Sequence, residues 1–314
     1  MIKLITHDRV AHADDAIAAA ILRIVFGGEN IAVLRTRNPA ILRDEAGLPN
    51  VFLLDVGGQY DPARRLFDHH QPEGAGFRDE LNKEWPYATA GLVWLHYGPD
   101  AVRSLHPSLS ASDVDEVVSY MDEALIRHID AVDCGVWQKH SGPSLSSVLS
   151  SFNPSWFEEE RDPFELMMDL SQVILCNFIN RFAGKLLARD KVRNAAQICG
   201  GKVLLIDKCV PWVNIVADEF PEVLFAIYPV SAGENETQWQ IRCAVDASMR
   251  PRIQLPASWG GLEREVLSRV NGVPGAVFCH RSRHLAGAMT QDAALAMAER
   301  ALEGQVNAPQ LLAA

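Results

Sequence analysis

Arg65-Leu66-Phe67-Asp68-His69-His70-Gln71 runs a short apolar pair straight into a carboxylate and two adjacent imidazoles. A polar loop containing Gly and Pro follows at once, from Gln71 to Gly76. Burying such a cluster for structure alone is costly, because each ionised group taken out of water needs a partner. A metal ion is the partner that suits this set best.

The same pattern of apolar run and polar stop occurs upstream. Ile2 to Thr6 has the length and β-branching of a buried strand and is closed by His7-Asp8. Ile31 to Leu34 is a second strand, and Val51-Phe52-Leu53-Leu54 a third that ends in Asp55 before Gly57-Gly58. Between the first two, Ala16 to Leu22 reads as a helix with Asp14 or Asp15 as its N-cap and first-turn acid. His12 and Asp14 are two apart and share no helix face, so any convergence of the two must come from the loop. Strands alternating with helices predict an α/β fold: a mostly parallel sheet with helices on both faces. His7, Asp55 and Asp68 then each stand where a strand gives way to a loop, the edge at which open α/β sheets bind ligands.

Further along, helices are expected over 87–97, over 112–128 from an approximate capping box at Ser112 and Asp115, and from Pro163 to about residue 196. The second leads into His128-Ile129-Asp130-Ala131-Val132-Asp133-Cys134-Gly135, which adds two acids. From Gly200-Gly201 the texture turns to strands, at 202–206, 223–229, 238–245 and 275–279, with helices at 262–270 and 291–302. The chain is therefore read as a metal-binding domain with a helical connector over 1–198 and a smaller α+β C-terminal domain over 199–314.

Composition narrows the chemistry. With 29 Lys+Arg against 40 Asp+Glu in 314 residues, the net charge of -11 argues against a long, sequence-blind grip on nucleic acid, which needs many phosphate contacts. Any anionic substrate must be held locally, in a pocket. Six cysteines without a C-x-x-C pair fit a reducing compartment better than a disulfide frame. No signal-peptide region and no run of ~20 apolar residues is visible, so a cytoplasmic protein without membrane contact is expected.

Two constellations carry chemistry. The first is His7, His12, Asp14, Asp55, Asp68, His69 and His70, with Asp130 or Asp133 added later. Singly, Asp14 reads as a helix cap and Asp55 as a turn residue; gathered at one sheet edge they read as a metal site. Imidazole and carboxylate donors without thiolate suit manganese, cobalt or magnesium. Seven donors are too many for one ion, and two ions about 3.5–4 Å apart suit in-line attack at phosphorus. The second is His280-Arg281-Ser282-Arg283-His284 ahead of Gly287, which is either a solvated basic loop or a grip on phosphate or carboxylate. Arg250 and Arg252 are weaker candidates for that grip, and Trp259 is either a base-stacking ring or core. No nucleophile elbow, Walker A loop or dinucleotide fingerprint occurs, and Cys134 has no evident cause to ionise.

Asp68-His69-His70 with Asp55 after an apolar strand is similar to the DHH phosphoesterase superfamily. More narrowly, the ordered series Thr6-His7-Asp8-Arg9-Val10-Ala11-His12-Ala13-Asp14-Asp15, Leu54 to Pro62, Phe67 to His70, Ala90 to Trp94 and Ile129 to Gly135 resembles the melanocyte-proliferating-gene family. The likeness continues through Leu255 to Leu262 and Phe278 to Thr290, nearly the whole chain. It implies a hydrolase, a 3′-5′ exonuclease on short RNA or DNA ends, with two divalent ions, manganese first and magnesium or cobalt as alternatives. It implies His7, His12, Asp14, Asp55, His69 and one of Asp130 and Asp133 as ligands. Asp68 would support or bridge, and His70 would act beside the phosphate. It also tips the basic loop, His280, Arg281, Arg283 and His284 with Gly287, toward substrate binding, since DHH enzymes close a small C-terminal domain over the metals. A small-nucleotide phosphatase or pyrophosphatase is the alternative enzyme class, and a metal-dependent nucleotide-binding protein without turnover the non-enzymatic one. The partner is a short nucleic acid or nucleotide, and a homodimer is compatible with the sequence. Three positions depart from the family pattern: Arg9-Val10-Ala11 stands in place of Gly-x-Phe, Cys134 in place of Asn, and Ala286-Gly287 in place of Gly-Gly. All three leave the ligands untouched and bear on the shape of the substrate pocket.

Overall fold

A computed structural model describes residues 1–136, 143–234 and 236–306. The chain divides into two compact units, Met1–Ala183 and Gly184–Ala314. Among the described residues no helix is long and apolar enough to cross a membrane.

The first unit opens β1 (Ile2–Thr6), α1 (Ala13–Phe26), β2 (Ile31–Arg35), α2 (Pro39–Glu45) and β3 (Val51–Leu54), followed by the short β4 (Tyr60–Asp61) and β5 (Leu66–Phe67). These strands form one sheet in the order β2-β1-β3-β5-β4, parallel throughout except for the antiparallel edge pair β4–β5. The expected mostly parallel sheet is therefore present. Alternation along the strands assigns the faces. Ile5, Leu53 and Leu66 pack with Leu42 of α2 and Ala46 just after it on one side. On the other, Phe52 meets Phe26 of α1, with ring centroids 5.7 Å apart.

A small hairpin of β6 (Phe77–Asp79) and β7 (Glu84–Pro86) leads to α3 (Thr89–Leu105), which places Tyr97 against Phe52 and Phe67. α1 is buried on every side from Ala13 to Leu22, as an Ala-rich helix free of exposed polar residues should be. Its N-cap is His12, not Asp14 or Asp15; Asp15 instead accepts the His12 N–H at 3.1 Å from the third helical position.

The helix expected over 112–128 is split. α4 (Ala111–Met121) starts at Ser110, whose hydroxyl accepts the Asp113 N–H, rather than at Ser112. A π-helical turn at Asp122–Ile126 then shifts the phase before α5 (Arg127–Asp133). α6 (Leu145–Ser150) and the long α7 (Phe164–Arg193) follow; the division between the units falls inside α7, ahead of the Gly200-Gly201 turn.

The contact of α3 with α5 is close. A Cβ on Gly91 would lie 1.8 Å from Asp130 Oδ2 and 2.7 Å from Arg78 Nη2. Alanine is the better helix former, yet Gly91→Ala is expected to destabilise the first unit by about 3 kcal/mol or more, because it displaces a buried ion pair. A lowered urea midpoint with unchanged m-value would show this.

The second unit contains β8 (Ala196–Ile198), β9 (Val203–Leu205), α8 (Val213–Glu219), β10 (Phe225–Gly233), β11 (Glu236–Cys243), α9 (Arg264–Asn271), β12 (Ala276–Cys279), β13 (Leu285–Ala288) and α10 (Gln291–Val306). Its sheet runs β12-β13-β11-β10-β9-β8, antiparallel except between β9 and β10. Phe225 and Ile227 face a core with Leu267 and Met297, while Ala226 and Tyr228 face one with Trp212 and Val216. Helices thus cover both faces of this smaller unit too.

Candidate metal centre

Parallel β1, β3 and β5 end at one edge of the sheet, and the residue after each strand enters a common cluster. His7 Nε2 lies 3.3 Å from Asp55 Oδ2, and His69 Nε2 lies 3.2 Å from Asp55 Oδ1. His70 Nδ1 is 3.3 Å and His12 Nδ1 4.0 Å from the same carboxylate. Asp55 adopts a left-handed φ of 56°, a conformation Asp tolerates better than most residues. Thr89 at the start of α3 donates to its Oδ1 at 3.3 Å.

The imidazoles are oriented from behind. His7 Nδ1 donates to the Asp8 carbonyl at 3.1 Å, so in the neutral ring the Nε2 lone pair faces the cluster. His69 Nδ1 faces Cys134 Sγ at 3.8 Å, with the same effect on its Nε2. Asp133 Oδ2 reaches that Nε2 at 3.0 Å. Sets that bring their donor atoms within 4.8 Å of one another are His7–His12–Asp55, Asp55–His69–His70, His12–Asp14–Asp133 and His69–Asp133–Cys134.

Asp14 is the most telling member. Its side chain is buried, and neither carboxylate oxygen has a hydrogen-bond partner. The Nε2 atoms of His7 and His69 are likewise buried without an aligned hydrogen bond. A buried, unpartnered carboxylate costs several kcal/mol, which a divalent cation would offset. Burial, reinforced by the charges of Asp55 and Asp133, pushes the Asp14 carboxyl well above the usual range. Burial likewise raises Asp15 to about 7, against the pull of His7. Burial opposes ionisation of Asp55 as well, but contacts with His69 and His7 outweigh it and hold that group below its ordinary value. Burial works against protonated His7, and the adjacent Asp55 and Asp15 carboxylates overcome it, raising its value. His12, half exposed, is lowered by burial and by the neighbouring His7. Nitrogen and oxygen donors around uncompensated buried acid fit a divalent ion of the manganese, cobalt or magnesium kind.

Two sequence candidates make further contacts. Asp130 accepts the Gly91 N–H at 2.9 Å in the first turn of α3, and its Oδ2 lies 2.8 Å from Arg78 Nη2. Arg78 also grips Asp122 at 2.7 and 2.6 Å, so Asp130 is bound into a charge network and belongs to none of the four donor sets. Burial raises the Asp130 carboxyl to about 7 despite Arg78. Asp68, also outside those sets, accepts from Gly58 N at 2.6 Å and from His70 N and Nδ1 at 3.1 and 2.8 Å. It therefore fixes the loop and the His70 ring, whose side chain stays 61% exposed.

Residues outside the set expected from sequence complete the surroundings. Asp15 lies with Oδ2 3.3 Å from His7 Nε2 and accepts from Thr6 Oγ1 at 3.0 Å; the adjacent acids Asp14-Asp15 were its only trace. Arg35 donates from Nε to His7 O at 2.9 Å and from Nη2 to Arg9 O at 3.0 Å. Asn153 pairs with both the N–H and the C=O of Ala11, each at 2.9 Å. The loop from His7 to His12 is thus clamped at both ends.

In the second unit, the basic loop joins β12 to β13. Ser282 Oγ bridges His280 Nδ1 at 2.7 Å and His284 Nδ1 at 2.6 Å. Arg281 is exposed, whereas Arg283 turns to Gln254 and to Leu255 O, so half of this loop's positive charge is committed within the unit. Gly287 lies under the Phe278 ring, where a Cβ would approach Cε1 to 2.5 Å; packing across the strand pair is its structural reason. Arg252 ties down the end of α8 through four carbonyl contacts, and Trp259 is core.

Comparison with known proteins decides the family. The model of the MYG1 exonuclease family, described as "Uncharacterised protein family (UPF0160)", matches residues 3–302. The chain belongs to this family. Rat MYG1 exonuclease is 33% identical over 98% of this chain and 86% of its own length, and the human protein 30% identical over 98% and 87%. The resemblance read from the ordered motifs is borne out, and membership in an exonuclease family makes the chain a hydrolase. Among solved structures, the pGpG-specific phosphodiesterase PggH from Vibrio cholerae aligns over 98% of both chains at 15% identity and a TM-score of 0.27. RecJ with Mn2+ from Thermus thermophilus aligns over 98% of this chain and 52% of its own at 14% identity and a TM-score of 0.26. Scores this low carry no argument.

Proposed function

We propose that this chain is a two-metal phosphodiesterase that removes nucleotides from the 3′ end of short RNA or DNA. The observation that carries the reading is the buried acid of Asp14 beside the His7, His69 and Asp55 donors at one sheet edge. The exonuclease names of the rat and human relatives support the choice of nucleic acid. His7, His12, Asp14, Asp55, His69 and Asp133 would hold the ions, with Asp55 shared between two of the donor sets and manganese as the preferred metal. When bound, the metals would supply charge to the phosphate and a nucleophile at neutral pH.

The remaining work falls to the chain. Asp68 fixes His70 through Nδ1 and leaves the rest of the ring in solvent, where Nε2 can exchange a proton with the substrate or with water. Asp15 and the Asp8 carbonyl keep His7 in register, and Cys134 does so for His69. Asp130 serves α3 and Arg78 rather than a metal. In the second unit, exposed His280 and Arg281 of the His280–His284 loop would bind phosphate.

Purified protein with manganese, given a 5′-labelled pentanucleotide and, separately, pyrophosphate, tests the reading. A ladder of shortened products without orthophosphate from pyrophosphate is expected. Orthophosphate release with an intact pentanucleotide would select the pyrophosphatase class instead.

A further inference from the structure

The loop that joins His7 to His12 turns one charged group away from the cluster. Arg35 and Asn153 hold its backbone at His7, Arg9 and Ala11, which leaves the Arg9 and Val10 side chains facing outward. Arg9 sits at a φ of 70°, a left-handed conformation unfavourable to a residue with a Cβ. Nearby guanidiniums are matched with acids, Arg35 with Asp162 and Arg37 with Asp8. Among the described residues the Arg9 guanidinium has no hydrogen-bond or ion-pair partner. It lines an open cavity of about 710 Å³ with Arg35, Asn153, Glu160, Arg161 and Asp162. Because Asp162 is neutralised by Arg35, Arg9 and Arg161 face Glu160 as the unmatched acid of the lining. Arg161 is held only loosely, 3.5 Å from the Phe152 carbonyl and 3.9 Å from Glu158.

We propose that this cavity is a phosphate subsite, taking the backbone phosphate next to the cleaved bond of a single-stranded substrate, with Arg9 as its principal donor. The inference rests on the hydrolase reading of the neighbouring cluster and adds what that cluster lacks, a reason to prefer an oligonucleotide over a mononucleotide. A free guanidinium fork suits a phosphodiester oxygen pair, and because the side chain turns away from the cluster it would take a phosphate other than the scissile one. On a chain of net charge -11, such a local positive pocket is how a polyanion would be admitted without general electrostatic attraction.

The test compares wild type with Arg9→Gly, a substitution that suits the left-handed backbone and so should fold with an equal or higher Tm. Steady-state kinetics are measured on a labelled single-stranded pentanucleotide and on bis(p-nitrophenyl) phosphate, each across a salt series. Arg9→Gly should raise KM for the pentanucleotide about tenfold and lower the ratio of pentanucleotide to small-diester kcat/KM by the same factor. The salt slope of log KM should fall by about 0.7, the loss of one single-strand phosphate contact. Arg161→Ala should shift both quantities in the same direction by less. An active wild type with Arg9→Gly equal to it in KM, ratio and slope overturns the subsite alone. A wild type inactive on both substrates overturns the hydrolase reading and the subsite with it.

Discussion

Asp14→Asn is expected to make the metal-free protein more stable and to make it inactive. Asp14 is buried with neither carboxylate oxygen hydrogen-bonded, so the metal-free fold holds either an unpaired charge or a proton taken up to avoid one. Asparagine has the same shape and no charge to desolvate. Above the raised carboxyl value, a gain of about 1–3 kcal/mol follows from removing the buried charge, although the amide still leaves polar atoms unpaired. In a unit of this size each kcal/mol moves Tm by about 2–4 °C. The gain depends on pH in a defined sense. Asp14 and Asp15 have raised values, Asp15 to about 7, so between the ordinary carboxylate range and 7 the folded state keeps protons that the unfolded state has released. Metal-free wild type should therefore lose stability as pH rises through that window, and Asp14→Asn should lose less. His7 adds the same sign, since its raised value gives stability present below its unfolded value and lost as pH rises through the folded one. With manganese the order reverses. At a hundredfold excess over Kd the wild type gains about 2.7 kcal/mol, and the variant gains little because a ligand charge is gone. Thermal melts at pH 6 and 8, with chelator and with manganese, check both halves; an Asp14→Asn protein less stable than wild type in chelator would refute the account of this residue.

Asp55→Asn is expected to abolish hydrolysis with the opposite effect on the metal-free fold. Asp55 lies within 3.3 Å of nitrogens on His7, His69 and His70 and belongs to two of the four donor sets. Its depressed value reflects stability it gives to the ion pairs of the metal-free state, present above the unfolded carboxylate range and lost only as pH falls through the lower folded value. Asparagine tolerates the left-handed backbone that Asp55 adopts, so the chain should still fold. It leaves His7 facing only Asp15 and His69 only Asp133, at a cost of about 3 kcal/mol. It also removes a carboxylate common to two of the four donor sets, and kcat should fall by at least ~10³-fold, the size of effect that follows loss of about 4 kcal/mol of transition-state stabilisation. Two substitutions in one cluster would thus move metal-free stability in opposite directions while both end turnover, a pattern that a purely structural ion-pair network does not produce.

The strand ends were legible because each is local. A run of four or five mostly apolar residues before His7 and Asp55, and the apolar pair before Asp68, carries both the strand and its stop, and parallel pairing then brings His7 and Asp55 together. What could not be read depends on distant partners. Asn153 meets Ala11 from 142 residues away, and Arg78 meets Asp122 from 44, with nothing in the local pattern to announce either. Asp130 and Asp133 are three apart on one helix, so periodicity places both near the same face. The neighbours divide them: Gly91 and Arg78 engage one, His69 the other. The π-helical turn before them changes the phase of that face, which no single repeat across 112–128 shows. β13 was missed because Leu285-Ala286-Gly287-Ala288 has weak strand propensity, and pairing on both sides with Phe278 over Gly287 compensates.

The most direct measurement is a calorimetric titration of metal-free wild type and Asp14→Asn with manganese at pH 7.5, side by side. The account predicts saturable binding of two ions per wild-type chain, with proton release as the buried carboxyls ionise, and a loss of at least one ion in the variant. Wild type that binds no manganese, or a variant that binds it as wild type does, would contradict the metal centre itself.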